Sequence, residues 1–554
     1  MDAITLGIDL ATASARCVAL DTASGEVLTT ASAPLPAPMR STGGVSRQRS
    51  DYARVAFAVI SDVCRELGSA ARRVRALSVT GTSGTVVPCA GDGSPLGDAR
   101  LYDDSSSGAD VAALGLVGAS SLGRMLSLHK EFRSSGGGGR QLMLATVDVV
   151  AAALVGEVVA SDTSHTLKAG IDLGRRRWPE EAMAALGLAT AGLPDLVPPG
   201  HILGTVSSST TAALGLPDDV LVVAGMTDGC TAQISAGAVH PGDTLGVLGT
   251  TLVLKGVSPV ELATGDGAVY SHLSPSGDFW PGGASSSGAG VLDTEFAGRD
   301  LAALDRAAAA RGPSTVIRYP LSRVGERFPV ADPRLASVTT GEPVDEVDAY
   351  RAVLEGVAFV ERLGIETLAR LGIRPSRHTI TGGATRSGTW NTIRATVLGP
   401  CLAGRPGSAG SAGSAGSAGS AGSAGTAGSA GSAGSAGSAG SAGPAGPAGP
   451  AGPANGQLDP AVVLAPTGGS AVGAAILAAH SLTLAPTRSG TTPHLTETVD
   501  RLVPAPVPVS QDRSQADQLE QSYGAFLALL DASTRPLHTT STAAKPAEGR
   551  PDHV

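Results

Sequence analysis

Two acidic residues of this sequence each follow a short apolar run at a point where the chain turns through small residues. The first, Asp9, ends the run Ile4–Asp9 and precedes small and hydroxyl-bearing residues up to Ser14. A turn of this kind presents backbone N–H groups and hydroxyls to an anion, while the carboxylate can hold Mg²⁺ through water. The same residues are also consistent with an ordinary hairpin turn capped by an aspartate.

The second acidic residue is Asp228, in the segment Gly225–Cys230. It comes where an apolar run ends and helical spacing begins, so we expect its carboxylate near a helix N-terminus, where the charged form is stabilised. The glycines on both sides of Asp228 indicate that another group approaches closely. A simple helix cap is the alternative explanation.

Two glycine-containing turns are further candidates for chemistry. Gly249–Thr251 joins two apolar runs, and its two adjacent hydroxyls with free amides suit the terminal phosphates of a nucleotide, although a plain hairpin loop explains it equally well. Gly382-Gly383 follows another apolar run; such a turn lets a flat ring lie against the backbone, and Trp390 could flank that ring. Neither a Walker A pattern nor G-x-G-x-x-G accompanies these positions, which disfavours nucleotide binding by a P-loop or by a Rossmann fold.

The elements that must position these residues predict an α/β protein. Three strands, a helix and a further strand are predicted in this order: Ile4–Asp9, Cys17–Asp21, Val27–Ala31, Asp51–Leu67 and Val74–Val79. Strands in hairpins followed by a helix and a strand are the opening of a ribonuclease-H-like unit.

A second unit of similar style is predicted to begin near Val220. Its predicted strands are Leu221–Ala224, Leu245–Leu248, Leu252–Lys255 and Thr379–Thr381. Its predicted helices are Val344–Leu371, Ser470–His480 and Gln515–Leu530, with another helix starting at Thr231.

Composition narrows the class of protein. Of the 554 residues, 42% are hydrophobic and 16% charged, which excludes a disordered acidic or basic chain. The net charge of −9 and the lack of a basic face make nucleic acid an unexpected partner. No apolar run is long enough to span a bilayer and no targeting segment is evident, so we expect a cytoplasmic protein.

The cysteines lack the short spacing of a zinc or redox motif, so we expect buried reduced thiols at Cys17, Cys64, Cys89, Cys230 and Cys401. From Gly404 to Gly452 a glycine occupies every third position, as a collagen triple helix requires. Apart from Pro406, proline enters the triplets only from Pro444 onward, so a flexible Ser/Ala/Gly/Pro insert over residues 404–454 is favoured. The Thr-, Pro- and Ala-rich tail after Ser533 is predicted to be disordered.

The order of these motifs is similar to that of the FGGY carbohydrate kinases, which belong to the sugar kinase, actin and heat-shock ATPase superfamily. The similarity runs from Ile4 to about Leu482, interrupted by the insert. Its most specific segments are Gly225–Cys230, Leu248–Lys255, Tyr270–His272 and Trp280–Ser285. They resemble the D-ribulokinase-like branch, as does Thr82–Thr85, where xylulokinases typically have Gln-Met-His-Gly.

The resemblance implies an α/β protein of two ribonuclease-H-like lobes, of the actin/hexokinase type, with a cleft between them. The N-terminal lobe, residues 1–240, would bind the sugar. The C-terminal lobe, residues 241–485, would bind ATP, and residues 486–554 would form a C-terminal helix and tail. The implied partners are a small sugar and ATP, with no nucleic acid or membrane, and we expect a monomer or homodimer.

The resemblance also implies the reaction, an ATP- and Mg²⁺-dependent phosphorylation of a ketopentose, with D-ribulose favoured over D-xylulose or another pentulose or polyol. Asp228 would be the general base, and Asp9 would position Mg²⁺ and the transferred phosphoryl group. The implied nucleotide contacts are Thr12, Gly249, Thr250, Thr251, Gly382, Gly383 and Trp390. The implied sugar contacts are Asp9, Thr82, Ser83, Asp104 and Asp228.

Three positions depart from the family pattern. Ala11 replaces the glycine of the Asp-x-Gly-Thr loop, Ala384 replaces the third glycine of the Gly-Gly-Gly turn, and Ser106 stands where the sugar site has an arginine. An added methyl group is tolerated unless the backbone has positive φ at that position. These departures leave open a second class of function, a nucleotide-binding pseudokinase or scaffold.

Overall fold

The computed structural model describes residues 3–113, 115, 120–136, 141–188, 192–402, 461–465, 469–484 and 493–534. The predicted flexible insert, 404–454, and the predicted disordered tail beyond Thr534 lie outside the described residues. The two-lobed α/β architecture expected from the sequence is confirmed: each lobe is built around one large mixed sheet. None of the helices in the described ranges combines the length and apolar content needed to cross a membrane.

The first lobe extends to Ser235. Its strands are β1 (Ile4–Leu10), β2 (Ser14–Asp21), β3 (Val27–Pro34), β4 (Met39–Ser41), β5 (Val45–Gln48), β6 (Val74–Gly81), β7 (Val86–Cys89), β8 (Ala99–Arg100), β9 (Leu142–Ala145), β10 (Ser161–Asp162), β11 (Leu196–Val197), β12 (Ile202–Thr205) and β13 (Leu221–Val223). Its helices are α1 (Tyr52–Leu67), α2 (Gly108–Ala112), α3 (Ser120–Ser134), α4 (Thr146–Val155), α5 (Thr163–Thr166), α6 (Glu180–Ala185), α7 (Ser208–Leu214) and α8 (Asp228–Ser235).

The main sheet of this lobe has the strand order β12-β13-β6-β1-β2-β3. Strands β1, β2 and β3 pair as antiparallel hairpins, whereas β6 and β13 run parallel to β1. The carboxyl ends of β1, β6 and β13 therefore meet at one edge of the sheet. A smaller sheet of order β4-β5-β8-β7-β9 lies beside it in the same lobe.

The strand Leu221–Val223 corrects one expectation. It was predicted to open the second unit, but it pairs with β6 through Ala76, Leu77 and Ser78 and completes the first sheet. Its short apolar run predicts a buried strand correctly but carries no information about which sheet receives it.

The second lobe begins at Asp243. Its strands are β14 (Asp243–Leu248), β15 (Leu252–Gly256), β16 (Tyr270–Leu273), β17 (Phe279–Ala284), β18 (Ile317–Tyr319), β19 (Val338–Thr340), β20 (Arg377–Thr381), β21 (Ala461–Leu464) and β22 (Val507–Pro508). Its helices are α9 (Gly290–Glu295), α10 (Leu301–Arg311), α11 (Glu346–Arg370), α12 (Gly388–Leu402), α13 (Ser470–Thr483), α14 (Leu495–Leu502) and α15 (Ala516–Thr534).

The main sheet of the second lobe repeats the topology of the first. Its order is β22-β21-β20-β14-β15-β17-β16, with β20 and β21 parallel to β14, and with β15 and β17 in antiparallel hairpins. The turn between β14 and β15 thus corresponds to the turn between β1 and β2. In the same way, helix α13, which follows β21, corresponds to α8, which follows β13.

The C-terminal helix is part of the second lobe rather than a separate segment. Phe526 is fully buried and stacks on Tyr319 at a centroid distance of 5.4 Å. The guanidinium of Arg362 on α11 pairs with Glu520 at 2.5 Å and lies over the ring of Tyr523. Apolar burial and this ion pair therefore hold α15 against α11.

Helices α8 and α13 bring the two lobes into direct backbone contact. A Cβ added at Gly473 would lie 1.7 Å from the carbonyl oxygen of Thr231, and one added at Gly7 would lie 1.8 Å from that of Ala471. The hydroxyl of Thr5 donates a hydrogen bond to the carbonyl of Ala475 at 2.8 Å. Because no side chain fits between these backbones, glycine is required at Gly7 and Gly473.

Substitution of Gly473 tests this contact. We expect Gly473→Ala to lower the free energy of unfolding by about 1–3 kcal/mol or more, because the added methyl group meets backbone that cannot move aside. The matched control is Gly524→Ala in the exposed face of α15, where a Cβ meets nothing within 4 Å. There alanine should stabilise by up to about 1 kcal/mol through its higher helix propensity. Urea unfolding of both variants checks the pair, and equal effects of the two substitutions would contradict the packing argument.

Candidate functional site

Asp9 and Asp228 lie at the same edge of the first sheet. Asp9 pairs in parallel register with Thr80, and Gly81, the next residue of β6, forms a bridge with Thr227. The hydroxyl of Thr80 donates to the carbonyl of Met226 at 2.6 Å, which fixes the end of β6 against the start of α8. The three adjacent strand ends thus bring the two predicted acidic residues to one place.

The environment of Asp9 disfavours its charged form. Burial, followed by the nearby charge of Asp228, raises the pKa of Asp9 to about 6, while a hydrogen bond from Ser470 and the charge of Arg16 oppose the shift. The Ser470 hydroxyl donates to Oδ2 of Asp9 at 3.1 Å, so the N-terminus of α13 contacts the first lobe here. The other oxygen, Oδ1, is buried and has no partner among the described residues.

Asp228 begins α8. Burial raises the pKa of Asp228, although a hydrogen bond from the backbone of Gly229 and the charges of His165, Lys255 and Lys168 act in the opposite direction. The N–H of Gly229 donates to Oδ1 at 2.6 Å. A buried carboxylate with a raised pKa binds a proton more tightly than an exposed one, which suits a general base.

Helix α5 supports the start of α8 from behind. The backbone N–H of Thr227 donates to the hydroxyl of Ser164 at 3.1 Å, and the same oxygen lies 2.9 Å from Nδ1 of His272. Burial, together with nearby cationic groups, holds the pKa of His272 well below its ordinary value, so this imidazole is neutral. His272 thus belongs to the buried support of the Asp228 turn.

The two glycine turns meet at the corresponding edge of the second sheet. Gly382 has φ of 96°, and a Cβ there would lie 2.4 Å from the carbonyl oxygen of Leu248, the residue before Gly249. The Gly249–Thr251 turn is closed by a hydrogen bond from Gly249 N–H to the carbonyl of Thr251 at 3.1 Å, and Ala289 N–H donates to Gly249 at 2.9 Å. The hydroxyls of Thr250 and Thr251 have no hydrogen-bond partner among the described residues, so they are free to bind a ligand.

Thr12 lies in the turn of the first lobe that corresponds to Gly249–Thr251. Its carbonyl accepts a hydrogen bond from the side chain of Gln48 at 2.7 Å. Ala11 N–H donates to the carbonyl of Ser14 at 3.0 Å, and neither Ala11 nor Ala384 has positive φ. Both alanines that depart from the family pattern therefore occupy backbone conformations that a methyl group tolerates.

Thr82 and Ser83 directly follow β6, next to the acidic pair, as predicted for sugar contacts. The Thr82 hydroxyl lies 3.0 Å from that of Thr85, and the Ser83 hydroxyl is buried without a partner in the described chain. The expected contacts of these two side chains with a sugar stay a prediction.

Asp104 is placed differently from the expectation. Its side chain is 1% exposed and pairs with Arg100 at 2.8 Å. It also accepts hydrogen bonds from Ser46 N–H at 2.8 Å and from the hydroxyl of Ser106 at 2.7 Å. Because both oxygens hold the surrounding loop, the role of Asp104 as a sugar ligand is corrected to a structural one.

Trp390 is corrected for a similar reason. Its indole is 2% exposed and packs in the core of the second lobe, and its N–H donates to the carbonyl of Leu354 at 2.9 Å. A ring that is enclosed in this way cannot flank an adenine, so the expected framing of adenosine rests on the Gly382-Gly383 turn alone.

Sequence reasoning missed several polar residues that the fold brings to the acidic pair: Arg16, His165, Lys168, Lys255 and Ser470. Of these five residues, only Arg16 could have been predicted from the local sequence, because the hairpin of β1 and β2 places it directly opposite Asp9. The other four lie far away in the sequence. As for a metal ion, the described residues contain no group of three or more metal-ligating side chains, and the unpartnered Oδ1 of Asp9 fits Mg²⁺ held largely by water and phosphate oxygens.

The raised pKa of Asp9 predicts a pH-dependent effect of Asp9→Asn on the protein without nucleotide or metal. An unfolded aspartate titrates near 3.9, whereas folded Asp9 titrates at about 6, so the folded protein loses stability as the pH rises between these values. Asparagine does not titrate. The variant should therefore match the wild type below pH 4 and exceed it by on the order of 3 kcal/mol above pH 7.

Chemical denaturation at a series of pH values measures this difference. Asp219→Asn, at an exposed carboxylate, is the control and should show no pH-dependent gain. A constant difference between Asp9→Asn and the wild type at all pH values would contradict the electrostatic interpretation.

Comparison with known proteins adds independent evidence. The model of the N-terminal domain of the FGGY family of carbohydrate kinases matches residues 140–235, and that of the C-terminal domain matches residues 258–425. A third model, the collagen triple helix repeat, matches residues 400–458, which include the glycine triplets.

Several curated proteins are similar to this chain over part of its length. A xylulose kinase of Klebsiella pneumoniae is 28% identical over 277 residues, which are 48% of this chain and 56% of that protein. A xylulose kinase of Escherichia coli K12 is 29% identical over 45% of this chain and 52% of its own length. A ribulokinase of Mycolicibacterium smegmatis is 26% identical over 36% and 39%. The chain thus spans about half the length of the first two relatives it matches.

Solved structures share the fold over nearly the whole chain. A structure described as a xyloylose kinase from Brucella ovis has a TM-score of 0.76 and 20% identity, and covers 96% of this chain and 99% of its own. A gluconate kinase from Lactobacillus acidophilus has a TM-score of 0.74 and 16% identity, with coverages of 96% and 98%. The chain therefore matches the N-terminal and the C-terminal domain of the FGGY family of carbohydrate kinases, in that order.

Proposed function

We propose that the protein transfers the γ-phosphoryl group of ATP to a hydroxyl of a ketopentose, with D-ribulose as the preferred acceptor. The observation that carries this proposal is the meeting of two half-buried carboxylates with raised pKa values, Asp9 and Asp228, at the strand ends of one lobe. The corresponding strand ends of the other lobe carry the Gly249–Thr251 turn, with two hydroxyls available to phosphates.

Asp228 acts as the general base. Its raised pKa makes the carboxylate a better proton acceptor, while the charges of His165, Lys255 and Lys168 favour its ionised form. The ammonium of Lys255 donates to the thiol sulfur of Cys230 at 3.1 Å, which holds it beside the first turn of α8. Removal of the acceptor proton by a positioned carboxylate contributes about 10²–10⁴-fold to the rate.

Asp9 and the Gly249–Thr251 turn position the phosphates. Phosphoryl transfer passes through a loose transition state, so the protein contributes mainly by orientation and by neutralising charge. Mg²⁺, when bound, supplies part of that neutralisation, and Asp9 is the residue placed to hold it. Holding the acceptor hydroxyl in line with the γ-phosphate contributes on the order of 7–11 kcal/mol.

Two other functions compete with D-ribulose phosphorylation. D-xylulose is favoured by the similarity to two xylulose kinases, whereas Thr82–Thr85 departs from the xylulokinase motif. A pseudokinase or scaffold was suggested by Ala11, Ala384 and Ser106. Support for an active enzyme comes from the unstrained backbone at both alanines. The Ser106 hydroxyl in addition donates a hydrogen bond to Asp104. An ATP-dependent kinase of small sugars would act in the cytoplasm, as a monomer or homodimer.

Replacement of the base tests the proposal. With Mg²⁺-ATP and a panel of pentuloses, pentitols and glycerol, we expect one preferred sugar to stimulate ADP release. Asp228→Asn should lower that release by about 10²–10⁴-fold. Nucleotide affinity, measured by calorimetry, should be unchanged, and the control Asp219→Asn should behave as the wild type. Loss of ATP affinity with normal turnover would contradict the role of Asp228, and absence of sugar-stimulated release would favour the pseudokinase.

The nucleotide contacts can be tested separately. Thr251→Ala should weaken ATP binding by about tenfold or more, since one hydrogen bond to a charged phosphate is lost. Trp390→Phe should leave ATP affinity unchanged but lower the melting temperature, because the indole fills the core and pairs with Leu354. Titration calorimetry and thermal unfolding measure both effects. A large loss of ATP affinity in Trp390→Phe would restore the stacking role expected from the sequence.

A further inference from the structure

Four buried polar atoms without hydrogen-bond partners surround Gly84 in the first lobe. They are Oγ of Ser83, Oγ of Ser121, Nε of Arg124 and Nε2 of His165, and no partner for any of them lies among the described residues. Ser121, Arg124 and His165 are each at most 4% exposed. A buried polar group without a partner costs about 1–3 kcal/mol, so several around one turn point to a ligand that completes them.

The backbone of Gly84 brings these side chains together. Its φ is 89°, and a Cβ there would lie 3.0 Å from both the Ser121 hydroxyl and the Arg124 guanidinium, and 3.4 Å from Cδ of Lys168. The guanidinium donates to the carbonyl of Gly84 at 2.9 Å and so fixes the turn. Helix α3, which carries Ser121 and Arg124, therefore packs directly behind the predicted sugar contacts Thr82 and Ser83.

Ser121 and His165 line one small cavity of about 20 Å³, together with Gly84 and Asp148. Such a space holds a single oxygen-sized group, either a water molecule or one hydroxyl of a ligand. The Asp148 carboxyl accepts the Ser161 hydroxyl at 2.7 Å and Ala145 N–H at 3.0 Å. The lining thus combines possible donors, Ser121 and His165, with an acceptor, Asp148, which matches a hydroxyl because that group both donates and accepts.

The imidazole of His165 is held firmly in this orientation. Its Nδ1 lies 2.6 Å from Oδ2 of Asp162, and the other oxygen of Asp162 accepts the backbone N–H of His165 at 2.8 Å. Burial disfavours the charged ring, but the charge and hydrogen bond of Asp162, with the charges of Asp148 and Asp228, raise the pKa of His165 overall. With Nδ1 held by Asp162, Nε2 is the ring nitrogen left for a ligand oxygen in the cavity.

The cavity is close to the proposed base. The charge of His165 lowers the pKa of Asp228, and the preceding residue, Ser164, accepts the hydrogen bond from Thr227. A ligand oxygen in the cavity would therefore belong to a molecule that also reaches Asp228. A ketopentose is such a molecule, since its hydroxyls lie along a short chain.

We propose that Ser121 and His165 form a subsite that binds one hydroxyl of the acceptor sugar, remote from the hydroxyl that is phosphorylated. This inference rests on the proposed function and extends it, because it assigns two residues of α3 and α5 to acceptor specificity.

The experiment uses Ser121→Ala and His165→Gln, with Ser134→Ala on the exposed face of the same helix and His201→Gln at an exposed histidine as matched controls. Both test variants should raise the KM for the acceptor about tenfold or more, since a hydrogen bond from a charged or buried group is lost. For Ser121→Ala the kcat and the KM for ATP should stay within about twofold, and both controls should match the wild type. His165→Gln is compared through the acceptor KM, because the charge of His165 also affects Asp228. Ser121→Ala removes a single oxygen, so retention of the wild-type melting temperature separates a binding effect from misfolding.

Deoxy analogues of the preferred acceptor sharpen the test. The wild type should bind one deoxy analogue as weakly as His165→Gln binds the natural acceptor. For His165→Gln, the affinity for that analogue should be no lower than the affinity for the natural acceptor. Unchanged acceptor KM in both variants, or independent losses with every analogue, would overturn the proposal and leave only a buried water molecule in the cavity.

A second readout separates this inference from the proposed function. Acceptor binding without ATP is measured as the rise in melting temperature. If an acceptor raises the melting temperature but is not phosphorylated, the proposed function fails. In that case the subsite is supported only when the acceptor no longer raises the melting temperature of Ser121→Ala and His165→Gln. If no pentulose or polyol is bound or turned over by the wild type, both proposals are overturned.

Discussion

The contact between the backbones of α8 and α13 is the constraint on which the rest of the structure depends. Each helix follows the last parallel strand of its own sheet, and Gly473 lets the two helices approach until no side chain separates them. Gly7 permits the same approach between α13 and β1. As a result the N-terminus of α8 carries Asp228, and the N-terminus of α13 carries Ser470, to the carboxylate of Asp9.

The charged residues around Asp228 differ from buried charges elsewhere in the protein that form ion pairs. The buried guanidiniums of Arg394 and Arg351 each contact a glutamate, at 2.6 Å and 2.5 Å. Around Asp228, by contrast, Lys168 and Lys255 form no ion pair within the described part of the chain. Burial and neighbouring cations lower the pKa of Lys168 to about 8. Charges that remain unpaired in a low-dielectric site are suited to bind phosphates and to stabilise transferred charge.

Local signals in the sequence were sufficient for several central strands of both main sheets, for the helices α1, α11, α13 and α15, and for the turns that contain Asp9, Asp228, Gly249 and Gly382. Each of these is specified by residues within a few positions of one another. Asp104 and Trp390 were misassigned because their partners, Arg100 and the carbonyl of Leu354, are set by tertiary packing. His165 carried no signal at all, since its relation to Asp228 arises only when α5 packs against α8.

The glycine-triplet segment joins the second lobe at the edge of the sheet that lies away from the Gly249 and Gly382 turns. Residues 403–460 connect the end of α12, at Leu402, to the first residue of β21, Ala461. β21 is parallel to β14 and β20, so its start lies at the edge of the sheet opposite the Gly249 and Gly382 turns. A change in the number of repeat units would therefore enter the fold at that distal edge, away from the two glycine turns.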